Sequence, residues 1–287
     1  MNKTYNVAGH RFRVSGERIC QAVSRIDGFL PFECEEGEFL FEFVEGTDAP
    51  KMKEVQYTFS YEDVSAEFGR WENGSLLSLK PEREEAFLLW TMDDESVVRM
   101  CGNWSMRLYR FALWVGFGLM TLPYQTVAIH SSCIVYKNKA VLFLGESGTG
   151  KSTHTRLWRE NIPGAFLLND DSPIIRVIDG NTWVYGSPWS GKTPCYRQER
   201  YPLAACVRLS QAPYNKIHKL HVIKGYAALH PSCPPEFAYD ERIYSHISAT
   251  LGKMLESVPV YHLECLPDAQ AAWLSHDTIS SRQNQFE

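Results

Sequence analysis

The chain has 287 residues, a formal net charge of −5 at pH 7 and eight cysteines, none paired in a CxxC. That length allows one large domain or two modest ones with separate cores. The mildly acidic balance excludes the basic stripe of a nucleic-acid binder. Scattered cysteines argue against a disulfide framework or a thiolate metal site, so a cytoplasmic setting is expected.

In chain order, the stretch MNKTYNVAGHRFRV alternates polar and apolar residues and does not read as a signal peptide. The runs EFLFEFVE, EVQYTFSY, SAEFGRW, LLSLK and AFLLWTM come next, separated by GTDAPKMK, ENGS and DDES. Alternation broken by turn formers predicts a mainly antiparallel sheet. Apolar residues at helical spacing over 103–122 predict a buried helix, whose most apolar part, from about Phe111 to Leu122, follows Arg107 and Arg110 and is too short to cross a bilayer. LPYQ ends it and marks a seam, which divides the chain into an N-terminal β domain, 1–124, and a second domain, 125–287.

The second half reads as strands in VAIHSSCIVY and KAVLFLG, a helix from Lys151 to about Glu160, and a strand ending at NDD. Strands in PIIRVI, WVYG, PLAACVRLS and PVYHLECL succeed them, with helices in DERIYSHISATLGKMLESV and PDAQAAWLSHD. The irregular alternation predicts an α/β fold with a mixed (α+β-like) sheet rather than a purely parallel one.

Residues 145–153, GESGTGKST, fit G-x-x-x-x-G-K-[ST], the Walker A pattern of a P-loop. The match comes after a β-type run and opens a helix, which is the setting the chemistry needs. Gly145, Glu146, Ser147, Gly148, Thr149 and Gly150 would turn backbone N–H groups onto phosphate oxygens at a helix N-terminus. Lys151 would reach the terminal phosphates, with Ser152 placed for Mg²⁺ and Thr153 beside it. An apolar strand ending in Asp170 and Asp171 supplies the acids: one can serve Mg²⁺ and the other can accept a proton. The loop 185–200, YGSPWSGKTPCYRQER, carries Lys192, Arg197 and Arg200, cations suited to a developing phosphoryl charge. Arg208 is a weaker candidate of that kind, and His130, alone in an apolar run, reads by itself as a core histidine.

Together, a histidine-bearing strand pair, GxSGxGKS, a short helix, NDD and GSPWSGK resemble the HPr kinase/phosphorylase and ATP-type phosphoenolpyruvate carboxykinase superfamily, in particular short HPr kinase-related proteins. The resemblance is strong over residues 125–210. It implies an HPr kinase-like P-loop core joined to the N-terminal β domain, and ATP or GTP with Mg²⁺ as cofactors. It also implies Ser152 and Asp171 on the metal, Asp170 as base, and His130 beside that aspartate. Because the superfamily includes oligomers, a homo-oligomer is compatible with it.

Where that family carries a further glycine-rich signature, this chain runs into LSQAPYNKIHKL, which argues against HPr as substrate and against phosphorolysis. The expected activity is an ATP-dependent kinase acting on a hydroxyl, most simply serine, of a protein, peptide or small molecule, with no nucleic acid or membrane as partner. Two alternatives are a nucleotide-binding accessory module without transfer and a carboxykinase-like lyase.

Overall fold

The structure is a computed structural model that describes residues 1–61, 63–102, 105–191 and 193–283. The chain gathers into two compact units, Met1–Pro123 with Pro235–Ser245, and Tyr124–Pro234 with His246–Glu287. The segment Pro235–Ser245, which the sequence places in the second domain, thus belongs to the first unit. No helix among the described residues is long and apolar enough to cross a membrane.

The first unit is built on β1 (Asn2–Val7), β2 (His10–Ser15), α1 (Glu17–Ser24), β3 (Glu33–Cys34), β4 (Phe41–Glu45), β5 (Glu54–Tyr61), β6 (Val64–Trp71), β7 (Gly74–Pro81), β8 (Phe87–Thr91), β9 (Val97–Cys101) and α2 (Met106–Thr121). Its sheet order is β3-β1-β2-β4-β9-β8-β7-β6-β5. Ala8 and Gly9, both at positive φ, form the two-residue turn that closes the β1–β2 hairpin. The sheet is mixed rather than wholly antiparallel, because β4 pairs in parallel with both β2 and β9. Helix α2 lies on it at Gly116, where a Cβ would stand 2.6 Å from the Phe43 ring. Phe12, Phe41, Phe43 and Phe117 form the aromatic core between them.

The second unit contains β10 (Thr126–Ala128), β11 (Ser131–Tyr136), β12 (Lys139–Leu144), α3 (Lys151–Asn161), β13 (Phe166–Asp171), β14 (Ile174–Ile178), β15 (Asn181–Tyr185), β16 (Arg200–Gln211), β17 (Lys216–Lys219), α4 (Val222–Leu229), most of α5 (Glu241–Ser257), β18 (Val260–Cys265) and α6 (Ala269–Gln283). Its strands run β10-β14-β15-β16-β12-β11-β13, with β18 on β16 and β17 on β18. Only β12–β16 and β16–β18 are parallel among the described pairs, so this sheet is mixed as expected. The β12 run KAVLFL is buried from its second residue onward. Helices α3 and α6 close over Ile134, Phe143, Val207 and Leu263 with Trp158 and Ile279.

Breaks in two neighbouring segments shape one end of this sheet. The run VAIHSSCIVY is not one strand: it breaks at Ile129 and His130, between β10 paired to β14 and β11 paired to β12 and β13. The neighbouring chain breaks at the same level, at Ser172 and Pro173 between β13 and β14. The paired breaks put His130 next to the end of NDD.

Candidate functional site

Residues 145–150 turn from β12 into α3, with Gly145, Gly148 and Gly150 at φ of 155°, 81° and 106°. Left-handed backbone is costly for residues with a side chain, so the glycines are what allow this path. A Cβ on Gly148 or Gly150 would meet nothing within 4 Å; the bowl of the loop is open. Thr149 folds back on Glu146 through its N–H and its hydroxyl, at 3.2 and 2.6 Å from the carbonyl oxygen. No side chain caps α3, which begins at Lys151 behind the left-handed Gly150.

Lys151 is buried, and its Nζ donates to the carbonyls of Gly145 (2.8 Å) and Glu146 (3.3 Å). Burial lowers its pKa, opposed by the nearby Asp171 and Asp170. In the first turn of α3, the Ser152 hydroxyl donates to Asp170 Oδ1 at 3.1 Å. Asp170 is buried at 5% exposure, whereas half the Asp171 side chain is exposed and stands 3.6 Å from His130 Nε2. His130 is shifted below the ordinary histidine value, by burial first and by the Lys151 charge second. The expected pairing of His130 with Asp170, and of Ser152 with Asp171, is therefore reversed. Successive strand residues face opposite sides, and Asp170 takes the α3 side together with Ser132, whose hydroxyl reaches Thr155 at 3.1 Å.

Ser187, Trp189, Ser190 and Gly191 strap the segment after β15 to NDD, although none of them carries a role of its own in the sequence reading. Asn169 is fully buried and its amide donates towards the Ser187 and Trp189 carbonyls at 3.3 and 3.2 Å. Its Oδ1 accepts the Ser172 N–H at 3.0 Å. The Asp170 carbonyl accepts from Gly191 N–H (2.6 Å) and Ser190 Oγ (3.1 Å). Their sequence signal was membership of the NDD and GSPWSGK stretches, Asn169 in the first and the four strapping residues in the second.

The cations separate into two sets. Arg197 stacks over Phe166 at 5.1 Å and pairs with Glu199 at 3.4 Å. Phe166 is at the opposite end of β13 from Asp170, about 13 Å away along a strand. Arg200 stacks over Trp183 and donates to the Tyr185 hydroxyl. Neither is brought to the loop 145–150, because both are spent on aromatic faces. Lys192 lies outside the described residues. Arg208, ranked below them in the sequence, does reach the loop, with Nη2 2.7 Å from Glu146 Oε1. Gln211, on the same strand, donates to the Gly148 carbonyl at 3.3 Å.

A cavity of about 560 Å³ opens beside the loop, against Gly148, Thr149, Gly150 and Thr153. Its far wall is apolar, from Leu157, Leu209, Pro213 and Leu266. A cleft of that size, apolar on one wall and polar on the other, beside a helix N-terminus has the form of a small-molecule site.

No family model matches this chain, and no curated protein is similar to it in sequence. Among solved structures, the Hpr(Ser) kinase/phosphatase from Coxiella burnetii is distantly similar, with a TM-score of 0.33 at 10% identity over 55% of this chain and 97% of that one.

Proposed function

We propose that this chain is a nucleoside-triphosphate-dependent phosphotransferase in which residues 145–153 hold the donor and Asp171 receives the acceptor's proton. The observation that carries this reading is the divided pairing of the adjacent aspartates, Asp170 with Ser152 of the loop and Asp171 with His130. A module that only binds nucleotide needs the first pair and has no use for the second.

In this reading the backbone N–H groups of the loop and the open N-terminus of α3 hold the β- and γ-phosphates, and Lys151 lends its charge from within the bowl. Ser152 and Asp170 fit Mg²⁺, a hydroxyl and a carboxylate in contact at the mouth of the loop, and the ion would supply charge neutralisation on the terminal phosphates. This exchanges the roles that the resemblance gave to the two aspartates. Asp171, exposed, takes the proton of an incoming hydroxyl. His130, whose pKa burial lowers, stands 3.6 Å from that carboxylate, near enough to orient it as the acceptor's proton is taken. Arg208, close to the loop on its Glu146 partner, is the cation placed to meet charge developing on the phosphoryl group. ATP or GTP would seat its base in the cavity beside Thr153. The acceptor is a hydroxyl-bearing protein, peptide or small molecule, serine being the simplest case.

The test is transfer from γ-labelled ATP with Mg²⁺ into cell extract, run beside equilibrium binding of the nucleotide. Asp171→Asn is expected to keep nucleotide binding and to lose about 10²- to 10⁴-fold in transfer. Undiminished transfer in that variant rejects the assignment of the base. A wild-type chain that binds nucleotide but labels no acceptor supports the accessory-module reading instead.

A further inference from the structure

On the antiparallel strand pair β17–β18, three side chains that the phosphate-loop site does not use converge from two strands. His218 is opposite His262 in the antiparallel register, and their rings are 5.4 Å apart. Glu264 lies two residues beyond His262 and so projects from the same face. One potential ligand atom from each of the three falls within 4.8 Å of the others. We propose that His218, His262 and Glu264 bind a divalent first-row transition metal ion, with Zn²⁺ the best match.

Two imidazoles and a carboxylate are the donors that Zn²⁺ accepts in tetrahedral sites, and three protein ligands leave a fourth position for water. Nitrogen-rich ligation favours this class over Mg²⁺ or Ca²⁺, which prefer oxygen alone. The outer partners that orient such ligands are already in place. Ser210 Oγ is 2.9 Å from His262 Nε2, which leaves Nδ1 as the ligand atom of that ring. The Tyr214 hydroxyl donates to Glu264 Oε1 at 3.0 Å and leaves Oε2 for the metal. Two cations border the cluster in register, Lys216 opposite Glu264 and Arg208 opposite His262. Arg208 is turned to Glu146 of the loop, so its charge is met elsewhere. A polar edge strand needs only solvent; it does not need two histidines and a glutamate converging with their second partners set.

The experiment is calorimetric titration of the chelator-treated full chain with Zn²⁺, together with Co²⁺ absorption spectroscopy. One equivalent of metal is expected, with the intense visible bands of tetrahedral Co²⁺ and no thiolate charge-transfer band. His218→Ala, at an exposed edge position where circular dichroism can verify the fold, should weaken binding by at least about tenfold, and Glu264→Gln likewise. Ser152→Ala, which alters the proposed Mg²⁺ position, should leave Zn²⁺ affinity unchanged. The absence of a stoichiometric complex overturns the assignment. So does a thiolate band, or equal affinity in wild type and in both the His218 and Glu264 variants.

Discussion

At the scale of single residues, Asp171 is the unusual one. Its φ of 116° is a backbone conformation that a residue with a side chain adopts at a cost of order 1–3 kcal/mol. Its backbone bridges Ser190, and Gly191 lies so close that a Cβ there would stand 3.0 Å from Asp171 Cβ. Strain held by a surrounding strap is characteristic of side chains that must be aimed. The partition of roles predicts opposite effects for two neighbouring substitutions. Asp170→Asn should cut the gain in nucleotide affinity that Mg²⁺ gives over EDTA by about tenfold or more, and Asp171→Asn should leave that gain intact. Binding measured with and without Mg²⁺ decides it; an unchanged gain in Asp170→Asn returns the metal to Asp171. The turn from β12 into α3 was legible in the sequence because it is local, set by glycines at fixed spacing between an apolar run and a helix-compatible segment. Which aspartate faces which partner was not, since that depends on a strand break shared by two segments well separated in sequence.

At the scale of elements, α3 is anchored at its back by a small polar knot. Ser275 Oγ of α6 is 2.9 Å from Trp158 Nε1 and 3.1 Å from His154 Nε2, and His154 is buried. Burial lowers the His154 pKa to about 4. Above pH 6.5 the ring is neutral in both folded and unfolded chains. Below that value the unfolded chain takes a proton that the folded chain refuses until about pH 4, so stability falls with acidity across this window by up to about 1.4 kcal/mol per pH unit. His154→Asn should therefore be less stable than wild type at pH 7, yet lose stability less steeply between pH 6.5 and 4. Denaturant unfolding at several pH values measures the difference, and parallel curves would reject it. Strands β12, β13 and β18 were readable as apolar runs. The edge strand β17 was not, because KIHK carries charge at both ends and its pairing is supplied by β18. The two parallel neighbours of β4 were equally hidden: alternation looks the same in either strand direction.

At the scale of the whole chain, the path crosses from one unit to the other more often than a two-domain reading of the sequence allows. After α4 the segment Pro235–Ser245 returns to the first unit. There Phe237 is buried against Phe68 at 5.6 Å and against Gly118, Tyr239 stacks on Tyr57 at 5.2 Å, and Arg242 pairs with Asp93 at 2.7 Å. The sequence does not reveal this, since PPEFAYDERI carries no pattern beyond a turn running into a helix, and α5 begins within it at Glu241. A cut at the apparent seam near residue 124 therefore does not separate two independent bodies. A fragment of residues 124–287 would retain the glycine-rich loop, both aspartates and His130, yet it would expose Phe237, whose burial contributes about 1.5–3 kcal/mol. We expect that fragment to self-associate and to melt below the full chain, with Phe237→Ser in the fragment reducing the association. Sedimentation velocity of the fragment, with and without the substitution, tests this. A monomeric, equally stable fragment would show that the returning segment contributes nothing to holding the second unit.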